Sequence, residues 1–476
     1  MRKNARSVTG SILLSTGIIY LGFGVDRTDF WSLFLAFVVA FLGCFLLARE
    51  REKIPHLKYL IALGIVLRIA LVFAFPLLSD DLYRFLWDGY LINAGYNPFV
   101  ELPAYYLEPG NEVPGLTSEL YSLLNSPDYY TIYPPIAQGV FSLATWLSPG
   151  SWYGASVVMK LFLFACELGS LWLLWQLLAG GQVQEGAGAQ VQSNGDQKQG
   201  THLPQRTDLL FYWLNPLIIV EIIGNLHFEG AMVFFLLLAY YLLQRSRWVS
   251  AAAAFAAAVA SKLLPLMLLP FLIQRLWRRS SSGQWNFRQF LADGKPFYLF
   301  SVVFGVSCVL FFAPLLLSPE FIAGFQSSLE LYQRKFEFNA SVYYLARAYG
   351  YYQVGCNQIE TFGPLLARAS AIGILLLALV DRRKDWHSLP AGWLFAFVLY
   401  LLCATTVHPW YLSVPIVLCV FTRWRFPLVW SFLIMLTYTN YLTVPYEENL
   451  WLVTAEYLLV IGFGAWEWWQ CRRNGI

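Results

Sequence analysis

The sequence predicts an all-α polytopic membrane protein of about 12–14 transmembrane helices, forming one integral-membrane domain over residues 1–476. Composition is the first observation: 58% of the residues are hydrophobic and 13% charged, and mean hydropathy is +0.53. A water-soluble globular chain carries about 25% charged residues, so that class is excluded. Second, apolar runs of about 15–25 residues recur along the chain, long enough as helix to cross a hydrocarbon core of about 30 Å. Third, Lys and Arg concentrate in alternate connecting segments, as they do when successive connections lie on opposite faces of a membrane. The net charge of +3 is too small to imply a nucleic-acid partner. Seven cysteines without CxxC or CxxH spacing point to neither a zinc site nor a disulfide framework.

Taken in order, the opening has a basic start (Arg2, Lys3, Arg6) before a short apolar stretch, as a signal peptide does. A basic hairpin end at 49–58 follows at the distance of a second crossing, so 10–24 is read as an uncleaved first helix. Apolar runs between charged or Pro/Gly-rich breaks then place helices near 30–48, 58–78, 153–179, 208–223, 230–244, 249–260 and 263–275, and further on near 296–317, 363–380, 389–405, 409–422, 426–442 and 450–470. Those at 249–260 and 263–275 are short for the core and read as half-helices or one broken unit. A crossing at 133–148 (YPPIAQGVFSLATWLS) would break the charge alternation, so that stretch is read as interfacial or re-entrant. Residues 180–207 open Gly/Gln-rich and nearly free of aromatics, the composition of a flexible inner linker.

With the N-terminus cytoplasmic, 23 of the 32 Lys and Arg fall on the inner side, and five (Arg27, Arg84, Arg334, Lys335, Arg347) on the outer side. Two outer segments, 79–152 and 318–362, are too long to be turns, and long connections tend to carry function. The first holds eight acids against Arg84 alone, which makes it the candidate catalytic loop. It opens with SDDLYRFLWDGYLINAGYNPF (79–99). On a helix, Asp80, Arg84 and Asp88 recur at i, i+4, i+8, giving one face of alternating carboxylates and guanidinium. Adjacent Asp80 and Asp81 project about 100° apart, so one is expected to face a cavity while the other caps the helix or holds Arg84. A plain interfacial ion-pair ladder anchored by Trp87 has the same spacing.

At these residues the chain resembles the integral-membrane glycosyltransferases of the GT-C fold, bacterial mannosyltransferase-like members in particular. The family pattern stands here as Asp80-Asp81, Tyr83-Arg84, Trp87-Asp88-Gly89 and Gly95-Tyr96-Asn97-Pro98. Then come, in the same order, YPP (Tyr133 to Pro135), NPL (Asn215 to Leu217), NLHFEG (Asn225 to Gly230), SKLLP (Ser261 to Pro265), FEFNASVYY (Phe336 to Tyr344) and HPWY (His408 to Tyr411). Glu229 departs from the pattern, since many relatives have Asp there. The resemblance implies a GT-C-like helical bundle that moves a hexose, mannose foremost, from a polyprenyl-phosphate sugar to an outer-side lipid or glycan acceptor, in a bacterial cell membrane.

The residues fit that chemistry on their own terms. Attack of a hydroxyl on C1 while a phosphate departs needs a carboxylate to take the proton and cations to take the phosphate charge. Asp80 or Asp81 is the candidate base. Lys262, Arg334, Lys335, Arg347 and His408 are the candidate cations, and Arg84, Asp88, Tyr133, Asn225, His227, Glu229, Asn339 and Tyr411 the remaining candidate substrate-binding residues. Bland readings stand beside them. Arg334 and Lys335 are expected to pair with Glu330 and Glu337, Lys262 to snorkel beside no obvious acid, and intramembrane Lys160 to link to Glu167 or another helix. Paired acids suit Mg2+ or Mn2+, but no ligand set is complete in the sequence. The rival class is a polytopic transporter or lipid-linked sugar flippase. Such proteins commonly show repeated halves, and 79–152 has no second copy.

Overall fold

A computed structural model describes residues 2–49, 54–188, 204–277, 293–316, 320–443 and 446–473. The protein is an all-α polytopic membrane protein. Among the described residues there is no β-strand, only an isolated parallel bridge between Phe338 and Thr406. Among the described residues five helices are long and apolar enough to cross a membrane: Phe30–Arg49, Trp152–Ala179, Lys295–Leu316, Ile359–Val380 and Leu450–Arg473. Arg206–Trp213 and Pro216–Gly224 make a sixth if counted as one span bent by 53°. Other expected crossings form shorter apolar helices, such as Glu229–Gln244 and Trp248–Ser261. At 1.5 Å per residue these reach only about 21–24 Å, short of a full hydrocarbon core.

The chain divides into two compact units. The first comprises Met1–Leu77, Leu168–Gly224 and Val407–Ile476. Its helices Arg2–Phe23 and Phe30–Arg49 pack backbone to backbone, because small residues line the seam. A Cβ on Gly43 would lie 2.6 Å from the Gly10 carbonyl, and one on Gly17 would lie 2.7 Å from that of Ala36. Close approach of this kind replaces the hydrophobic driving force that is absent between helices in lipid. Fully buried Arg68 donates to the carbonyls of Gly64 (3.2 Å) and Trp213 (2.8 Å) and lies 3.7 Å over the Trp213 ring. Asn215 closes the turn before Pro216: its side chain accepts from the Leu217 amide and donates to Ser431. Glu221 accepts from the Tyr438 hydroxyl at 2.9 Å.

The second unit comprises Leu78–Glu167 and Asn225–Thr406. The helix Ile54–Val72 ends earlier than expected, and an irregular stretch with Pro76 leads to a separate helix, Asp81–Asn93. That helix packs on Pro135–Leu147, the stretch read as non-spanning, which is a 13-residue helix. Gly89 admits the contact, since a Cβ there would sit 2.5 Å from the Phe141 carbonyl. Phe85 stacks on Phe141 with ring centroids 4.3 Å apart. Helix Asp81–Asn93 ends in a left-handed turn at Gly95 (φ +86°), with the Tyr96 amide bonded to the Leu91 carbonyl and the Gly95 amide to that of Ile92. The Gly-x-Asn-Pro element is therefore a helix stop. Asn97 continues it by accepting from the Phe99 amide and donating to the Leu315 carbonyl. Trp87, the anchor in the ion-pair-ladder alternative, is fully buried. The two long segments meet: Phe99 packs on Phe321 and Phe325, and Ser328 donates to the Tyr130 carbonyl. Helix Trp152–Gly188 runs into the predicted linker 180–207, of which residues 189–203 lie outside the described residues.

Candidate active site

The second unit brings together the start of the first long segment, the NLHFEG turn and the end of the Ala-rich helix Trp248–Ser261. Asp80 stands at the N-cap of helix Asp81–Asn93 but does not close the cap with its side chain. Asp81, the first helical residue, has its amide bonded to the Ser79 hydroxyl. Asn225 fixes the approach by accepting from the Leu78 amide at 3.2 Å. The next residue, Leu226, is buried at φ +66°, a left-handed conformation rare for a branched side chain and found where surrounding packing imposes it. Phe228 supplies that packing through edge contacts with Phe85 (5.7 Å) and Phe141 (5.1 Å).

The turn so held aims His227 and Glu229 at two different partners. His227 Nδ1 lies 3.9 Å from Asp81 Oδ2, and Asp81 Oδ1 accepts from Asn125 Nδ2 at 2.9 Å. Glu229 Oε1 lies 3.0 Å from Lys262 Nζ. Glu229 opens helix Glu229–Gln244 and Lys262 follows the last residue of Trp248–Ser261, so each charge complements the helix end it occupies. Lys262 was expected to stand beside no acid; the pairing corrects that, because the partner lies more than thirty residues away in sequence. The Glu229 side chain is 1% exposed and that of Lys262 17%. The ammonium also lies 5.6 Å from the centre of the Tyr133 ring. Asp81 is 18% exposed, which leaves a carboxylate and an ammonium partly open on one assembly.

Arg84 and Asp88 face inward. Arg84 Nε donates to Asp88 Oδ1 at 2.9 Å, and Nη1 donates to the carbonyls of Ser126 (3.1 Å) and Tyr129 (2.9 Å). Gln138 Nε2 donates to Asp88 Oδ2 and to Thr131 Oγ1. Burial pushes the Asp88 carboxyl above the ordinary range, against the pull of Arg84 and of its hydrogen bonds to Thr131 and Gln138. Both side chains are almost fully buried, so the expected ladder of exposed charges is not formed: the helix buries that face against the segment from Ser126 to Gln138.

The remaining candidates lie elsewhere. Asn339 is buried at φ +47°, beside the Phe338–Thr406 bridge, where the Phe338 amide donates to the Thr405 carbonyl. Arg334 is 3.9 Å from Glu330, both half exposed. Glu337 binds Arg347, the Tyr343 hydroxyl and Asn357 rather than Arg334 or Lys335, because the chain turns out of its helix after Arg334. His408 and Tyr411 belong to the first unit, at the short turn Pro409–Leu412, where the imidazole stacks on Trp410 with centroids 4.5 Å apart. Lys160 and Glu167 are both fully buried in helix Trp152–Gly188. Among the described residues no three His, Cys, Asp or Glu side chains gather to hold a metal ion. Asn125, Thr131 and Gln138 escaped the sequence reading. Asn125 sits in an Asn-Ser-Pro turn, a signal for a turn and nothing more.

An all-α membrane chain with a partly open carboxylate and ammonium and a buried imidazole on one assembly has the groups that group transfer to a hydroxyl requires. The family model of the GPI transamidase subunit PIG-U matches residues 130–332, a span that includes Tyr133, the NLHFEG turn and Lys262. The chain is also 23% identical over 299 residues to alpha-(1->6)-mannopyranosyltransferase A of Corynebacterium glutamicum. That match covers 60% of this chain and 53% of the relative, so the chain spans about half the relative's length. The chain is thus an all-α membrane protein similar in part of its length to a mannosyltransferase and to a GPI transamidase subunit.

Proposed function

We propose that the protein is a membrane glycosyltransferase that moves a hexose, mannose by preference, from a polyprenyl-phosphate sugar to a lipid or glycan acceptor on the outer side of a bacterial cell membrane. Asp81 accepts the proton of the acceptor hydroxyl as its oxygen bonds to C1 of the sugar. The C1–O bond to phosphate breaks, the electron pair leaves with the polyprenyl phosphate, and configuration at C1 inverts. Lys262, held by Glu229, takes up the phosphate charge, and His227 orients the Asp81 carboxylate. Asp81 is favoured because its partly exposed carboxylate accepts from Asn125 and stands beside His227. The observation that carries this reading is the NLHFEG turn, which sets His227 beside the Asp81 carboxylate and, two residues on, Glu229 beside the Lys262 ammonium.

Likeness to a GPI transamidase subunit supports a second reading, in which the chain serves inside a membrane complex. Purified full chain in liposomes, given polyprenyl-phosphate [3H]mannose and lipid extract as acceptor, separates the two. Label transfer by the chain alone supports the enzyme, with polyprenyl-phosphate glucose expected to be the poorer donor. No transfer from any polyprenyl-phosphate hexose, with the chain folded, favours the subunit.

A further inference from the structure

We infer that Asn125 is a positioning residue for the Asp81 base, held in place by the buried Arg84–Asp88 pair; this rests on the glycosyltransferase reading above. The turn at 125–129 belongs to no long helix, and its own backbone bond, Tyr129 amide to Ser126 carbonyl, is long at 3.4 Å. Arg84 supplies the constraint. Its Nη1 donates to the Ser126 and Tyr129 carbonyls, so both ends of the turn are tied to the second turn of helix Asp81–Asn93. Asp88 fixes the guanidinium through Nε, and Gln138 fixes the other oxygen of Asp88. The consequence appears one residue before the tie. Ser126 Oγ donates to Asn125 Oδ1 at 2.9 Å, which sets the amide so that its Nδ2 faces Asp81 Oδ1, also at 2.9 Å.

Asn125 thus holds Asp81 at Oδ1, and the His227 imidazole stands 3.9 Å from Oδ2. A hydrogen bond to one oxygen restricts rotation of a carboxylate about its χ2 bond, which is otherwise broad. A base must lie within hydrogen-bond reach of the hydroxyl proton, and small misplacements are expensive in rate. Asn125 itself is exposed, so its truncation leaves the core intact. The buried pair acts on the base through the loop it ties down, and neither charge needs to touch substrate.

The test uses membranes carrying the full chain, with polyprenyl-phosphate [3H]mannose as the varied donor and kcat and KM measured separately. Asn125→Ala is expected to lower kcat about tenfold with donor KM held within about twofold. Asn125→Gln, which keeps an amide donor, is expected to recover part of the loss. Ser126→Ala, which frees the amide to rotate, should give a smaller fall in kcat of the same kind. In an Asp81→Asn background, Asn125→Ala should add nothing. Wild-type kcat in Asn125→Ala, or a rise in KM alone, overturns the inference while Asp81→Asn remains inactive. An active Asp81→Asn overturns Asp81 as the base and the inference with it, whereas absence of transfer by the folded wild-type chain overturns the glycosyltransferase reading itself, so the two failures are distinguished.

Discussion

The start and the middle of helix Asp81–Asn93 each carry an aspartate and do different things with it. At its start, Asp81 is partly exposed and meets an amide and an imidazole. One turn on, Arg84 and Asp88 are buried and bind each other, two carbonyls and a glutamine. An acid and a base at helical spacing thus acquire their roles from burial, which depends on what the helix packs against. A buried charge that is fully bonded holds structure; a partly open one retains lone pairs or protons for a substrate.

That contrast can be broken variant by variant. Arg84→Ala leaves Asp88 buried without its partner and is expected to destabilise the chain by about 3–5 kcal/mol, read as a lower thermal midpoint in detergent and reduced protein level. Lys262→Ala strands the buried Glu229 and should lower the midpoint as well; at equal folded protein it should also lower kcat/KM for the donor about 100-fold, with Lys262→Arg recovering part of both. Glu229→Gln removes the charge that seats Lys262, and a loss of about tenfold in kcat/KM is expected from the same titration. The smallest effect is on pH. Burial raises the Asp88 pKa above its ordinary value of 3.8, so the folded chain holds that proton more tightly than the unfolded chain. The contribution is complete below the unfolded value and is lost as pH rises through the raised folded value. Asp88→Asn should flatten the fall of the thermal midpoint with rising pH that begins near pH 4.

Much of the helical framework is legible in the sequence, since helix breaks follow charges, Pro and Gly. The ends of Ile359–Val380, Leu389–Cys403 and Leu450–Arg473 lie close to the apolar runs that predict them. Hydropathy does not show that 264–276 splits into a 3-10 turn and a short helix, because Pro270 breaks the amide ladder without changing apolar character. Within the site, the Arg84–Asp88 pair is readable from i, i+4 spacing, but its burial is not. Glu229–Lys262 is invisible to spacing because two antiparallel helices intervene between the partners. Asn125 carries no periodic signal at all; only the tie from Arg84 gives it meaning.

The central claim is that Asp81 is the group that takes the acceptor proton. Transfer of [3H]mannose from the polyprenyl-phosphate donor, compared between wild-type chain and Asp81→Asn at equal folded protein in liposomes, tests it most directly. A fall of at least about 100-fold, with donor binding retained, is the predicted result. Transfer by Asp81→Asn at more than half the wild-type rate would contradict it.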